Sequence, residues 1–265
     1  MAGHWYNNQG NPQHFDAAGR PTTLRQARKE NLYPSSTTIN SILDKPQLNK
    51  WIKESALKTA FDNIPLEGES IEGYVKRISN LAYKETSTAA DYGTRFHAAA
   101  ENFFNGEPMD EEFRPQLEPI IEWKKSKGIS FDEREYSFAS PEHGFGGCID
   151  IVASNESGAR MIADFKTRKS NPNYKMKPYG QEIVQIGSYA TGYYGEQAVL
   201  NNEIFGVNIF VSSTEPGRVE IHGYPPEEVN AGWKLFQAIS EVWFKVKSYD
   251  PRDRSTGLTK GSNSN

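Results

Sequence analysis

The pattern of hydrophobic and polar residues changes character twice along the chain. Through residues 1–33 the apolar side chains are scattered among Asn, Gln, Gly and Pro with no period, which predicts an arm outside the core. Helical spacing begins at residue 34. The run Pro34-Ser35-Ser36-Thr37-Thr38-Ile39 offers several N-cap candidates ahead of a short helix, and Pro46 opens a second helix with Leu48, Ile52, Ala56 and Ala60 on one face. Ile71, Tyr74, Val75, Ile78, Leu81 and Ala82 mark a third helix. A fourth is predicted over about 91–105, with Tyr92, Phe96, Ala100 and Phe103 as its buried stripe and Gly106 as its stop. A fifth, over about 115–127, closes at Gly128.

The period then shifts towards two. Runs at 129–139, 145–153 and 159–167 are separated by turn-rich segments, as antiparallel hairpins require. A helix over about 178–194 follows, then strands at 205–212 and 218–224, then a long helix from near Pro225 with Leu235, Ile239, Val242 and Val246 facing inwards. Helices, three strands, helix, two strands, helix is the order of a sheet with helices packed on it. The predicted layout is an arm at 1–33 and one domain at 34–250, made of a helical lead-in (34–90), a core (91–224) and a C-terminal helix (225–249). A polar tail at 251–265 is expected to be disordered.

Composition narrows the classes of function. The 265 residues are 36% hydrophobic, enough for one large core and thin for two. A mean hydropathy of -0.71 and the lack of a long apolar run leave no membrane span to propose. The opening residues resemble no secretory leader, so the expected location is the cytoplasm. A single cysteine, Cys148, excludes an internal disulfide, a cysteine-based zinc site and a cysteine-held iron–sulfur cluster.

The formal charge of -4 argues against a surface that is basic all over, so local distribution decides. Residues 107–122 carry Glu107, Asp110, Glu111, Glu112, Glu118 and Glu122 against the lone Arg114. Residues 165–181 carry Lys166, Arg168, Lys169, Lys175 and Lys177 and no acid. Such a strip is either a solvated face or an anion-binding one.

Three residues in the second and third strands stand out as chemistry. Asp164 and Lys166 are two apart and share a face, while Phe165 points the other way, towards the core. Asp150 lies fourteen positions before Asp164, and a hairpin turn near Asn155 would set the two carboxylates side by side. Both acids end apolar runs, where an unpaired carboxylate is costly, so a cation belongs there. It is either a divalent ion with oxygen ligands or simply the lysine in an ordinary ion pair. His97 and Glu101 stack one turn apart beside the aromatic stripe, leaving His97 as a ligand or as a satisfied core residue. Gln185 and Tyr189 form a polar pair on a later helix, suited to a phosphate or to a solvated edge. Glu135 reads as a further ligand or as an exposed strand residue.

In this order, Gly93-Thr-Arg-Phe-His97, Gly147-Cys-Ile-Asp150, Asp164-Phe-Lys166-Thr167 and Gln185-Ile-Gly-Ser-Tyr189 resemble the motifs of the PD-(D/E)XK nuclease superfamily, and specifically of its RecB-like exonuclease branch. The likeness covers roughly residues 91–195. The segments from Gly19 and from Leu32 resemble the lead-in of phage-encoded members. The resemblance implies an α/β (α+β mixed-sheet) fold: a restriction-endonuclease-like core with a central mixed sheet flanked by helices, and an N-terminal helical extension.

It further implies that His97, Asp150, Asp164 and the carbonyl of Phe165 hold one or two Mg²⁺ or Mn²⁺ ions, with Lys166 positioning the attacking water. Gln185 and Tyr189 would hold the DNA backbone, and Thr167, Arg168 and Lys169 would contact phosphates. Ser35, Ser36, Thr37 and Trp51 would touch or stack on a strand threading to the metals, although Trp51 is equally suited to a core. The implied activity is a DNA exonuclease on single-stranded or end-containing DNA in phage replication or recombination, in the host cytoplasm. A single-strand-binding, annealing or helicase partner would go with that role. A structure-specific endonuclease with the same site and a non-catalytic DNA-binding module are the alternatives. Oligomeric state is not legible in the sequence.

Overall fold

The computed structural model describes residues 3–253, apart from the side chains of Glu85, Thr86 and Ala89. Its centre is a five-stranded sheet of β3 (Ile129–Ser140), β4 (Phe145–Asn155), β5 (Arg160–Arg168), β6 (Ile204–Ser212) and β7 (Val219–Tyr224), adjacent in that order. A two-residue pair, β1 (Trp5–Tyr6) with β2 (Tyr33–Pro34), lies before it in the chain. Neighbours in the large sheet run antiparallel except β5 and β6, which are parallel. A parallel pair needs a crossover, and α6 (Gln181–Tyr194) with α7 (Glu196–Leu200) provides it. The β4–β5 turn is centred on Ser157, two residues beyond the expected position, since Ile151 faces Ala163 and Ser154 faces Arg160.

Each face of the sheet has its own core. On one, Phe138, Phe145, Val152 and Ile162 pack against Val184 and Ile186 of α6 and Trp233, Phe236 and Ile239 of α8 (Pro226–Lys247). On the other, Ile151, Ala163, Phe165 and Ile209 pack against Phe96 and Ala100 of α4 (Ile71–Asn105) and Leu117 and Ile120 of α5 (Arg114–Ser126). Helices α6 and α8 cross almost backbone to backbone. A Cβ on Gly187 would sit 2.3 Å from the Trp233 nitrogen, and one on Gly232 would sit 2.3 Å from the Ile183 oxygen.

Several expectations are corrected. Residues 3–33 are not a detached arm but contribute to the core: Trp5, Tyr6, Leu32 and Tyr33 are buried, α1 (Leu24–Glu30) starts with a Thr23/Gln26 capping box, and Trp5 meets Trp243 edge-on at 6.3 Å. The expected third and fourth helices are one continuous helix, α4, because nothing in the Ala-, Glu- and Lys-containing stretch between them breaks it. The inward face of α8 is not the predicted one. Ile239 is buried as expected, but Leu235, Val242 and Val246 are 48, 52 and 65% exposed, and the helix turns in Val229, Trp233, Phe236 and Trp243 with Ile239. This helix is apolar over much of its circumference, and the stripe with the larger aromatic area wins.

The lead-in helices α2 (Ser36–Asn40) and α3 (Pro46–Asp62) form as expected, but Leu48 and Ile52 of α3 are exposed. Helix α3 pairs with the first half of α4, joined by Tyr74 donating to the Ala60 carbonyl at 2.9 Å, while Arg77 holds the connecting loop through Glu69 at 2.8 Å. The helix expected from 178 starts at Gln181. Of the expected tail, residues 254–265 lie outside the described residues, while Arg252 pairs with Asp250 and Glu241, each at 2.7 Å. Among the described residues no helix is long and apolar enough to cross a membrane.

Candidate active site

Strand β5 presents Asp164 and Lys166 towards α6 and turns Phe165 into the opposite core, where its ring meets Phe96 at 5.4 Å and His97 at 5.9 Å. Lys166 Nζ lies 2.5 Å from Asp164 Oδ2 and donates to Gln185 Oε1 at 3.0 Å. Gln185 Nε2 donates to Asp164 Oδ1 at 3.1 Å and to the Tyr189 hydroxyl at 2.8 Å. The parallel register places Asn208 of β6 beside Asp164, and its amide donates to Oδ2 at 3.2 Å. Tyr224 of β7 completes the chain by donating to Asn208 Oδ1 at 2.7 Å. Both oxygens of Asp164 are therefore held from two strands and a helix, with Tyr224 of a third strand behind Asn208, and the residue is 2% exposed.

Asp150 reaches the same place from β4. Its Oδ2 accepts the main-chain N–H of Phe165 at 2.7 Å and lies 3.6 Å from His97 Nδ1 on α4. The pairing of Arg134 with Ile151 and of Tyr136 with Ile149 brackets Glu135 opposite Asp150. At this point the strands are irregular. Glu135 takes a left-handed φ of 46°, and Ile149 and Ile151, two apart, pack into opposite cores. A left-handed non-glycine costs about 1–2 kcal/mol, and the strain here turns a carboxylate towards the site. Ligand atoms of His97, Glu135 and Asp150 all lie within 4.8 Å of one another.

The electrostatics follow from burial. Asp150 and Asp164 are pushed above the ordinary aspartate value chiefly by desolvation, partly offset by His97 and Lys166 for Asp150 and by Lys166 for Asp164. Desolvation likewise raises Glu135, against the Cys148 thiol that donates to it at 3.3 Å. Burial alone would lower Lys166, but Asp164 and Asp150 outweigh it and hold the ammonium charged. Three carboxylates thus share one lysine and one half-buried imidazole. Carboxylate oxygens with a single imidazole nitrogen are a hard donor set, and an added divalent cation would relieve the charge they carry.

The expected ligand set is regrouped by this geometry. His97 and Asp150 come together, with Glu135 as their third neighbour, while Asp164 is taken up by Lys166, Gln185 and Asn208. Gln185 and Tyr189 are buried; Gln185 is bonded to Lys166 and Asp164 and donates to the Tyr189 hydroxyl, so the pair is directed inwards behind the acid and the lysine. Ser35 is the buried N-cap of α2, accepting from Thr38 N, and the Ser36 hydroxyl lies 2.6 Å from that of Ser188 inside the core. Of that trio only Thr37 faces solvent.

Arg168 is likewise spent internally, paired with Glu182 and bonded to the Lys177 carbonyl. Thr167 sits under α4, where a Cβ on Gly93 would lie 3.0 Å from its Oγ1. Trp51 is not in the core: it is half-buried, with Lys169 Nζ 5.7 Å from its ring centroid. Lys175 and Lys177 are exposed. Sequence reasoning missed Asn208 and Tyr224 and left Glu135 open between a ligand and an exposed strand residue. A polar residue inside the apolar run of β6 was a readable signal for Asn208, whereas the kink that aims Glu135 has no local signature.

No family model and no curated protein matches this chain. Among solved structures it is similar to one described as "Crystal structure of SSO0001", with 12% identity over 77% of this chain and 89% of that one, at a TM-score of 0.33. A likeness that slight carries no argument about function, and the geometry of the site has to carry it instead.

Proposed function

We propose that this chain is a metal-dependent DNA exonuclease of the PD-(D/E)XK superfamily, RecB-like branch, with its active site at Asp150, Asp164 and Lys166. The observation that carries this reading is the convergence of two buried carboxylates and a lysine in the middle of β4 and β5, just past the point where the two strands stop pairing, with His97 and Glu135 beside them. An ion pair built only for stability would not need a second buried acid, a strained third one and a four-residue hydrogen-bond chain behind it.

His97, Glu135 and Asp150 would hold a Mg²⁺ or Mn²⁺ ion, which would supply Lewis acidity to offset phosphate charge and acidify water. The remaining work falls to the chain. Lys166, held charged and aimed by Gln185 Oε1 and Asp164, orients a water against the scissile phosphorus. As the water oxygen bonds to phosphorus the bond to the 3′ oxygen breaks; one proton of the water ends on the leaving 3′ oxygen and the other passes to solvent, so the products carry a 5′ phosphate and a 3′ hydroxyl. Asn208 and Tyr224 keep Asp164 from rotating while this charge moves.

The test is digestion of end-labelled linear and of closed-circular single-stranded DNA with Mg²⁺ or Mn²⁺. Loss of linear DNA with circles intact is the expected result. Cutting of circles transfers the site to an endonuclease, and binding without any cleavage leaves a DNA-binding module.

A further inference from the structure

Beside the acid–lysine pair, a cleft of about 460 Å³ runs between α3 and the end of β5. It begins at Thr167, the residue after Lys166. One wall is Leu48 and Trp51 of α3, with Lys45 at its rim, and the other is Lys169 and Tyr179. Gln181 Nε2 donates to the Asp44 carbonyl at 2.7 Å and ties the two walls together.

Two features show what this cleft suits. The first is a pair of aromatic faces in a cationic setting. Lys169 Nζ stands 5.7 Å from the Trp51 ring, and the Arg168 guanidinium lies 3.8 Å from the Tyr179 centroid and 4.5 Å from that of Phe210. Arg168 is fixed by Glu182 and the Lys177 carbonyl, so Tyr179 rests on a rigid support even though its own ring is 53% exposed. The second is charge. The seventeen residues 165–181 contain five cations and no acid, and among the described residues the one acid that lines the cleft, Glu182, is engaged by Arg168. A flat apolar ligand on a polyanionic backbone fits both features, and the volume lies within the range of small-molecule sites, about 300–1,000 Å³.

We infer that this cleft is a stacking subsite for an unpaired base of single-stranded DNA, with Trp51 as its platform and Lys45 and Lys169 drawing in the adjoining phosphates. The inference deepens the nuclease reading and rests on it for the choice of nucleic acid. A base held in a duplex cannot offer its face to Trp51, so the subsite makes the enzyme prefer ends already unpaired. Stacking discriminates little among bases, because each has a π-face, so no sequence preference is expected.

The experiment measures binding by anisotropy, in EDTA, of a labelled oligothymidylate and of an abasic strand with the same number of phosphates. The proteins are the full-length chain, Trp51→Ala, Trp51→Phe and Tyr179→Ala, with thermal melts confirming that each is folded. Wild type is expected to bind the strand with bases roughly ten-fold more tightly than the abasic one. Trp51→Ala should lose that preference while its abasic affinity stays unchanged, Trp51→Phe should keep most of it, and Tyr179→Ala should reduce it. Equal affinity of wild type for the two strands, a preference that survives in Trp51→Ala, or no binding at all overturns the inference. Metal-dependent hydrolysis by the wild type is scored separately. Hydrolysis without base-dependent binding removes the subsite and leaves the nuclease, whereas base-dependent binding through Trp51 without hydrolysis does the reverse.

Discussion

Asp150 Oδ2 accepts the main-chain N–H of Phe165 at 2.7 Å, just past the point where the paired residues of β4 and β5 end at Ile151 and Ala163. The side chain stands in for a ladder bond, so the strands separate there without leaving that buried N–H unpaired. The same bond fixes the carboxylate 3.6 Å from His97 Nδ1 and next to the strand segment that carries Asp164 and Lys166. Opening the sheet and building the site are thus one structural event.

Asp150→Asn keeps an oxygen for the Phe165 N–H but removes one charge from the buried carboxylates. The metal-free variant is expected to melt higher than wild type by on the order of 1 kcal/mol, equivalent to about 2–4 °C. Added Mn²⁺ should raise the melting temperature of wild type and leave the variant nearly unmoved. Melting curves in EDTA and in Mn²⁺ decide it, and an equal Mn²⁺ response in both proteins removes Asp150 from the cation site.

The same charges set a pH dependence with a definite sign. Burial raises Asp150, Asp164 and Glu135 in the folded chain, so the folded state holds their protons more tightly than the unfolded state. Their contribution favours folding in acid and is lost as pH rises from about 4 through the raised folded values. Acids whose values are lowered, such as Asp16 and Glu69, act in the opposite sense, so the difference between proteins is the informative quantity. Without metal, the stability gain of Asp150→Asn over wild type should be small near pH 4 and larger at pH 7. A gain that shrinks with rising pH contradicts the account.

Gln185→Leu keeps most of the side-chain volume and removes the anchors of Lys166 and Asp164. We expect kcat to fall roughly 10–100-fold with KM for DNA little changed, because Gln185 is bonded inward to the pair. A rise in KM with kcat intact would assign Gln185 to DNA binding instead.

Gly187→Ala would drive a Cβ into the α6–α8 crossing, 2.3 Å from the Trp233 nitrogen. Two backbones must part to admit it, a larger demand than the about 1–3 kcal/mol of ordinary overpacking. Urea unfolding is expected to show a loss of at least that size, or no folded protein. A midpoint equal to wild type would contradict the close crossing.

Trp5→Ala tests whether the first residues belong to the core. Trp5 is buried, its indole N–H donates to the Thr22 carbonyl at 3.1 Å, and it packs against Trp243 and Tyr249. The expected cost is about 3–5 kcal/mol in urea unfolding, whereas a detached arm would lose nothing.

How much of this was legible in the sequence depended on the range of the interactions. Strand alternation around Asp164 and Lys166 placed both correctly and sent Phe165 to the far core, because period two is a local property. The hairpin that brings Asp150 to them was readable for the same reason. Trp5, Tyr6 and Tyr33 were not, since isolated aromatics in polar sequence have no period, and the packing of Trp5 depends on distant residues such as Trp243 and Tyr249. In α8 the apolar residues surround the helix, and its packing against α6 and the sheet decides which stripe turns in. Arg168 and Lys169 read alike in sequence, yet Glu182 claims the first while the second stands over Trp51. Glu135 depended on a left-handed backbone that its neighbours do not announce.

Release of label from a 5′-end-labelled linear single strand in Mn²⁺, by wild type beside Lys166→Ala and Asp164→Asn, tests the central claim most directly. The account predicts metal-dependent release by wild type, suppressed by EDTA and lost in both variants while DNA binding persists. Release that continues undiminished in Lys166→Ala, or no hydrolysis by wild type with either Mg²⁺ or Mn²⁺, would contradict it.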